Sequence, residues 1–182
     1  MFFLTNQSFT NKKVLIRVDL NVPLDENMSV TDSTRISACK ETVDFVINSG
    51  GACVLIAHLG RPKGKETALS FSHLLKDISK CLGRQVYFIN DCIGESVEQR
   101  VSQMNSGDVL LLENLRFYKE ETNGEEGFAK KLSRLGDSYI NDAFGTSHRK
   151  HASTYTIAKY FPNNKYAGKL LQKELIVIDK IL

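Results

Sequence analysis

Short, nearly continuous runs of apolar residues, many of them β-branched, alternate along this chain with longer segments whose apolar residues repeat every three to four positions. The short runs are too brief for helices. Because they do not alternate with polar residues, they are typical of strands covered on both faces. Strands separated by amphipathic helices form βαβ units. The pattern therefore predicts an α/β fold built around a parallel sheet.

The periodicity predicts five strands and five helices. The predicted strands cover residues 13–19, 52–57, 85–89, 108–112 and 137–140. The predicted helices cover 34–48, 70–82, 93–104 and 128–135, and a last helix begins at about residue 168. We therefore expect a doubly wound, mainly parallel sheet with helices on both faces, which is a Rossmann-like three-layer sandwich.

Composition excludes several classes of protein. The chain has 24 Lys and Arg against 21 Asp and Glu, a net charge of only +3, whereas a nucleic-acid binder usually carries a larger, clustered excess. The longest clean apolar run, residues 52–57, is far shorter than the roughly 20 residues of a membrane-spanning helix. We therefore expect a cytoplasmic protein without a nucleic-acid or membrane partner.

The cysteines predict neither a metal site nor a disulfide framework. No two of them form a CxxC pair, and none has zinc-ligand spacing to a histidine. We interpret them as buried free thiols in a reducing compartment. The four residues are Cys39, Cys53, Cys81 and Cys92.

Unusual polar residues follow four of the predicted strands. In open α/β sheets, ligands bind beyond the carboxyl ends of the strands, so these residues should meet at one edge. A further arginine, Arg35, falls in the predicted first turn of the first helix, near the same edge. The residues that follow the strands are Asp19, Asn21, His58, Arg61, Arg116, His148 and Arg149.

Four arginines from separate segments indicate an anion site. The guanidinium fork matches carboxylate and phosphate oxygens. Arg35 opposes the helix dipole unless an anion binds beside it. The simplest ligand is a small, highly charged anion, with Asp19 and Asn21 hydrogen-bonding a hydroxyl group.

Each of these residues also has a plainer interpretation. A single arginine is commonly a solvated surface residue, and His58 or His148 alone is commonly a hydrogen-bonded structural residue. The case for a site rests on their convergence. The loop 60–66 resembles a phosphate-binding loop, but only three residues separate its glycines and Glu66 stands where a Walker A motif has Ser or Thr. We therefore predict no nucleotide site in it.

Five segments resemble the motifs of phosphoglycerate kinases, in that family's order and spacing. They are RVDLNVP (17–23), TDSTRI (31–36), HLGRP (58–62), LENLRF (112–117) and NDAFGTSHR (141–149). The resemblance extends over nearly the whole chain, from about residue 13 to residue 175. It implies the amino-terminal domain of an enzyme that transfers phosphate reversibly between ATP and the carboxylate of 3-phosphoglycerate, in glycolysis and gluconeogenesis.

The resemblance also implies roles for the individual residues. Asp19 and Asn21 would contact the glycerate, and Arg35 would contact the substrate carboxylate and stabilise the phosphoryl group in transfer, which makes it the catalytic residue. Four of the remaining residues would form a basic patch that binds 3-phosphoglycerate or 1,3-bisphosphoglycerate. They are His58, Arg61, Arg116 and Arg149. His148, also assigned to substrate binding, would sit beside that patch.

The resemblance implies two parts in this chain. Residues 1–165 would be the substrate-binding domain, and residues 166–182 would begin an interdomain helix. Its apolar stripe of Leu171, Leu175, Ile178 and Leu182 stops mid-pattern, which suggests truncation. The family's magnesium and ATP or ADP would be bound by the carboxyl-terminal domain, whose glycine-rich loop lies beyond Leu182, so the fragment alone is predicted to be an inactive monomer without a metal or cofactor.

One alternative belongs to another functional class. A stand-alone anion-binding or regulatory domain would use the same four arginines for sensing. The uncovered stripe on the last helix argues against that interpretation. Two departures from the family pattern, Lys150 and Lys169, add charges near the patch and near the last helix.

Overall fold

A computed structural model describes the backbone of residues 2–181 and the side chains of residues 2–180. Seven parallel strands form one sheet, in the order β1-β7-β6-β2-β3-β5-β4. The strands are β1 (Phe2–Phe3), β2 (Lys13–Arg17), β3 (Ala52–Ile56), β4 (Tyr87–Ile89), β5 (Val109–Leu112), β6 (Ser138–Asn141) and β7 (Lys165–Ala167).

Seven α-helices connect or follow these strands in the part of the chain that the structure describes. They are α1 (Thr34–Ala38), α2 (Lys40–Asn48), α3 (Leu75–Leu82), α4 (Glu95–Ser102), α5 (Lys119–Asn123), α6 (Glu126–Ser133) and α7 (Lys169–Ile181). Short 3-10 turns occur at the loops, including Phe71–Leu74 and Leu115–Phe117.

Two apolar cores lie on opposite faces of the sheet, because successive strand residues point to opposite sides. Val14 and Ile16 of β2 belong to the core that α1, α2 and α3 cover. Leu15, between them, belongs to the core that α4 and α6 cover. The predicted doubly wound architecture with helices on both faces is therefore confirmed.

The edges of the sheet differ from the prediction. The strands β1 and β7 are only two and three residues long, too short to show a periodic pattern. β7 lies across the domain boundary predicted at residue 165, and that division of the chain stays a prediction. The helix predicted over residues 34–48 is two helices, α1 and α2, which meet at Cys39.

The first turn of the helix α7 contains the buried residue Leu171, and the helix becomes exposed further along. Leu175 and Ile178 are 40% and 41% exposed, so this part of the predicted apolar stripe is uncovered. Leu182 lies outside the described residues. Lys169 folds back over the Phe45 ring at 4.6 Å and donates to the carbonyl oxygen of Leu4, so its charge is accommodated at the start of the helix.

Candidate anion-binding site

The order in which strands are added to the sheet reverses at β2, in the centre of the sheet. After β2 the chain adds β3 on one side, and after β5 it crosses to add β6 on the other side of β2. A doubly wound sheet opens a crevice at the carboxyl ends of the strands beside such a crossover. The loops that follow β2, β3, β5 and β6 border this crevice.

Asp19 lies at the mouth of this crevice, two residues after β2. Its Oδ2 atom is 2.5 Å from Nη1 of Arg35, and its Oδ1 atom accepts a hydrogen bond from the backbone N–H of Asn21 at 3.1 Å. Gly145, in the loop after β6, lies so close that a Cβ atom there would be 3.3 Å from Asp19 Oδ2. The structure therefore brings Asp19, Asn21 and Arg35 together.

The loop that carries His58 and Arg61 is held by three neighbouring side chains. Asn21 Oδ1 accepts from the N–H of Gly60 at 2.8 Å. Arg116 Nη1 donates to the Gly60 carbonyl at 2.6 Å. The buried amide of Asn114 accepts from the N–H of Leu59 and donates to its carbonyl, at 3.2 and 2.8 Å. These bonds fix the loop in one conformation.

A cavity of about 290 Å³ opens beside this loop. Three of the predicted arginines line it, one from each of the loops after β3, β5 and β6. Burial and the positive charges of Arg149, Arg17 and Arg61 lower the pKa of Arg116. A bound anion would relieve this repulsion. The cavity is lined by Arg61, Pro62, Arg116, Lys119, Thr122, Arg149 and His151.

Beneath the site lies Arg17, a fully buried charged residue at the end of β2. Its Nε donates to Ser153 Oγ at 2.9 Å, its Nη1 donates to the Val18 carbonyl, and its Nη2 lies 2.9 Å from Nδ1 of His58. Burial lowers the Arg17 pKa, and the negative charge of Glu121 opposes that shift. The guanidinium therefore anchors His58 from below.

His58 lies at the site, but it is uncharged near neutral pH. Its side chain is buried, and burial together with the charges of Arg17 and Arg116 lowers its pKa to about 2. Since a guanidinium has no acceptor, Nδ1 must accept from Arg17, which leaves the proton on Nε2. His58 therefore contributes a neutral hydrogen-bond donor and no positive charge to the predicted basic patch.

The two histidines that follow β6 differ in their position relative to the cavity. His148 is exposed and does not line the cavity, whereas His151 does. Burial and the charges of Arg116 and Arg149 lower the pKa of His151 to about 4. Arg35 also lies outside this cavity, beside Asp19.

Several residues of this region were not identified from the sequence. Lys119 and Thr122 line the cavity, and Arg17, Glu121 and Ser153 lie buried under it. Arg17 can be identified from the sequence as a candidate, because an arginine in an otherwise apolar strand is unusual. The others stand in polar stretches whose pattern does not predict burial.

The described residues include no group of three or more His, Cys, Asp or Glu side chains that could hold a metal ion. Within residues 2–181, no helix has both the length and the apolar character needed to cross a bilayer. Lys150 packs over the Tyr155 ring at 5.9 Å, beside the cavity.

The fold and the site together define a doubly wound α/β domain with a cationic cavity at the carboxyl edge of its parallel sheet. The sequence profile of the phosphoglycerate kinase family matches residues 4–182, and the chain belongs to this family. The chain is 48% identical over 179 residues to the phosphoglycerate kinase of Dictyoglomus turgidum, covering 98% of this chain and 44% of that protein.

Other relatives agree. The cytosolic phosphoglycerate kinase of Nicotiana tabacum is 52% identical over 164 residues, which cover 90% of this chain and 41% of that protein. The crystal structure of the Pyrococcus horikoshii phosphoglycerate kinase superimposes with a TM-score of 0.86 at 33% identity, covering 96% of this chain and 44% of that one. The chain thus spans less than half the length of these relatives.

Proposed function

We propose that this chain binds 3-phosphoglycerate or 1,3-bisphosphoglycerate as the amino-terminal part of a phosphoglycerate kinase. The whole protein would transfer phosphate reversibly between ATP and the carboxylate of 3-phosphoglycerate. The observation that carries this proposal is the convergence of Arg61, Arg116 and Arg149 on one cavity. The ion pair of Asp19 and Arg35 lies at the same edge of the sheet.

Each part of the substrate has a matching group. The phosphate would bind in the cavity, where three guanidinium forks can share its oxygens. The hydroxyl would donate to Asp19 and meet Asn21, and Arg35 would bind the carboxylate. His58 would donate from Nε2, and His148 would border the site from its exposed position.

The chemistry requires charge stabilisation more than proton transfer. The carboxylate of 3-phosphoglycerate is itself the nucleophile and is ionised near neutral pH, so no protein base is needed. Arg35 would place this carboxylate and stabilise the negative charge that spreads over the phosphoryl group in transfer. When bound, magnesium–ATP supplies the phosphoryl group. The described residues include no cluster of side chains that could hold a metal ion.

We expect no kinase turnover by these 182 residues alone, because they contain no Gly-Gly-Ala-Lys segment of the kind that the family uses for the nucleotide. A coupled assay that detects ATP-dependent turnover above contamination would contradict this. We also infer a cytoplasmic monomer that has no nucleic-acid or membrane partner.

Isothermal titration of the 182-residue chain tests the substrate assignment. We expect 3-phosphoglycerate to bind, Arg35→Ala and Arg61→Ala to weaken binding, and magnesium–ATP to give no signal. Arg134→Ala is the matched control, because Arg134 is an exposed arginine that pairs with Glu98 at 3.7 Å and does not line the cavity. Binding of ATP without 3-phosphoglycerate, or no binding of either ligand, would contradict the proposal.

A further inference from the structure

A buried carboxylate lies directly under the cationic cavity. Glu121 is 1% exposed, although its neighbours in α5, Lys119 and Thr122, line the cavity. A negative charge at this place repels a bound anion, so by Coulomb's law alone its removal would strengthen anion binding. Its charge offsets that of the buried Arg17, and its hydrogen bonds indicate a second role.

Both oxygens of the carboxylate accept hydrogen bonds from one residue. Glu121 Oε1 accepts from Ser153 Oγ at 2.6 Å, and Oε2 accepts from the Ser153 backbone N–H at 3.0 Å. Because the hydroxyl proton of Ser153 is directed at Glu121, its oxygen is free to accept from Arg17 Nε at 2.9 Å. Glu121 thus sets the direction of the Ser153 hydroxyl, which leaves the Ser153 oxygen free to hold Arg17.

The chain of contacts ends at the site. Arg17 is held at Nε by Ser153 and at Nη1 by the Val18 carbonyl, and its Nη2 donates to His58 Nδ1 at 2.9 Å. If Ser153 turned its proton toward Arg17, the two donors would face each other and the guanidinium would move. His58 would then lose the contact that fixes its protonated nitrogen.

The same residue joins two of the cationic segments. The carbonyl oxygen of Glu121 accepts from the N–H of Ala152 at 2.9 Å. The helix α5 follows the turn that carries Arg116, and Ala152 lies three residues after Arg149. The backbone and carboxylate of Glu121 therefore set the spacing between the segments of these two arginines.

We infer that Glu121 is a positioning residue of the anion site, which acts through Ser153 and Arg17 to hold His58 as an Nε2–H donor and to fix the segment of Arg149. This role rests on the function proposed above, because it concerns the binding of the same substrate. Simple electrostatics predicts that neutralising Glu121 strengthens anion binding, whereas a positioning role predicts that it weakens anion binding.

The test compares Glu121→Gln with Glu120→Gln. The two residues are adjacent, but the Glu120 side chain makes no hydrogen bond within residues 2–180. A glutamine at 121 keeps the shape but cannot accept from both donors of Ser153, because its amide nitrogen is a donor. The measurements are calorimetry with 3-phosphoglycerate and the ¹⁵N shifts of the His58 ring, which report its protonated nitrogen without any ligand.

We expect Glu121→Gln to bind 3-phosphoglycerate on the order of tenfold to a hundredfold more weakly, since small displacements of binding groups have effects of this size. The His58 signals should depart from a single Nε2–H form. Glu120→Gln should match the unmodified chain in both measurements. A folded Glu121→Gln variant that binds equally or more tightly would overturn the inference. So would weaker binding with unchanged His58 signals.

Should Glu121→Gln fail to fold, Ser153→Ala decides, with the exposed Ser102→Ala as its control. Ser153→Ala leaves the carboxylate in place but removes the bridge to Arg17, so it should alter both the His58 signals and the affinity. Unchanged values in both would overturn the inference. If the unmodified chain does not bind 3-phosphoglycerate, the proposed function fails. In that case, the His58 signals of the ligand-free variants still test whether Glu121 positions His58 through Ser153 and Arg17.

Discussion

Arg35 reaches from the first turn of α1 to Asp19, where its Nη1 atom lies 2.5 Å from Oδ2. About half of the Arg35 side chain stays exposed, while Asp19 is largely buried. The pair therefore places a cation at the mouth of the crevice, where a second anion can still reach it.

Arg35→Ala separates binding from stability. An ion pair with one exposed partner contributes only about 0–1 kcal/mol to folding, so urea unfolding should change by no more than that. The affinity for 3-phosphoglycerate should fall about tenfold or more, since a charge-assisted bond to the carboxylate is lost. A loss of several kcal/mol in stability, or an unchanged affinity, would contradict this role.

Asn114→Ala should affect both folding and binding. The amide is fully buried and makes four hydrogen bonds, to Leu59 N and O, Arg116 N and Leu69 O. Leaving buried backbone groups unpaired should lower the free energy of unfolding by about 2–4 kcal/mol. The released loop should weaken anion binding, as calorimetry would measure. Asn105→Ala, at an exposed asparagine, is the control and should change neither.

Gly168→Ala should be strongly destabilising. A Cβ atom at this glycine would lie 2.1 Å from Asp142 Oδ1, a contact that forces the start of α7 away from the sheet. We expect a loss of at least about 2 kcal/mol in thermal or urea unfolding. The matched change Gly127→Ala, where no atom lies within 4 Å, should instead stabilise α6 by roughly 0.5–1 kcal/mol. Equal effects at both glycines would contradict the proposed packing.

Asp142 makes stability depend on pH. Burial raises the pKa of Asp142 to about 6, although the N–H groups of Leu170 and Leu171 donate to Oδ1. Between about pH 4 and pH 6, the folded chain therefore holds a proton that the unfolded chain has released, so this contribution to stability falls as pH rises. The free energy of unfolding of Asp142→Asn should therefore rise relative to that of the parent as pH rises through this window. A difference in the free energy of unfolding between variant and parent that is the same at every pH would contradict this.

His58 and His151 should not titrate in the physiological range. Burial and the neighbouring arginines lower their pKa values to about 2 and about 4. Their ring resonances should therefore stay constant from pH 5.5 to 8 in NMR spectra of the chain. Because an unfolded histidine gains its proton near pH 6.5, the stability that these residues contribute is lost as pH falls below that value. A transition in either ring above pH 5.5 would contradict the assigned environment.

The sequence predicts most of the sheet, because β2, β3, β5 and β6 are buried on both faces and contain short apolar runs. It does not predict β1 and β7, because strands of two or three residues are too short to show a hydrophobic pattern. The break at Cys39 cannot be predicted for another reason. The helical spacing of apolar residues continues from α1 into α2, and only the backbone conformation changes at Cys39.

The site is predicted in part. Parallel strands bring their following loops together, so Asp19, Arg61 and Arg149 could be assigned to one edge from order alone. The buried groups beneath them could not, because Glu121 and Ser153 stand in stretches that look solvated. Only the tertiary structure shows that the Ser153 hydroxyl joins Glu121 to Arg17, donating to the first and accepting from the second.

The order of the strands has a consequence for how this chain acquires its shape. The central strand β2 pairs with β6, Val14 opposite Ser138, and β1 pairs with β7. These are contacts between residues far apart in sequence, and closing such long loops slows the search for the native state. During synthesis, the first half of the chain must wait with one edge of β2 unpaired until β6 emerges. The loop of Arg149 joins the other cationic loops only when that late pairing forms.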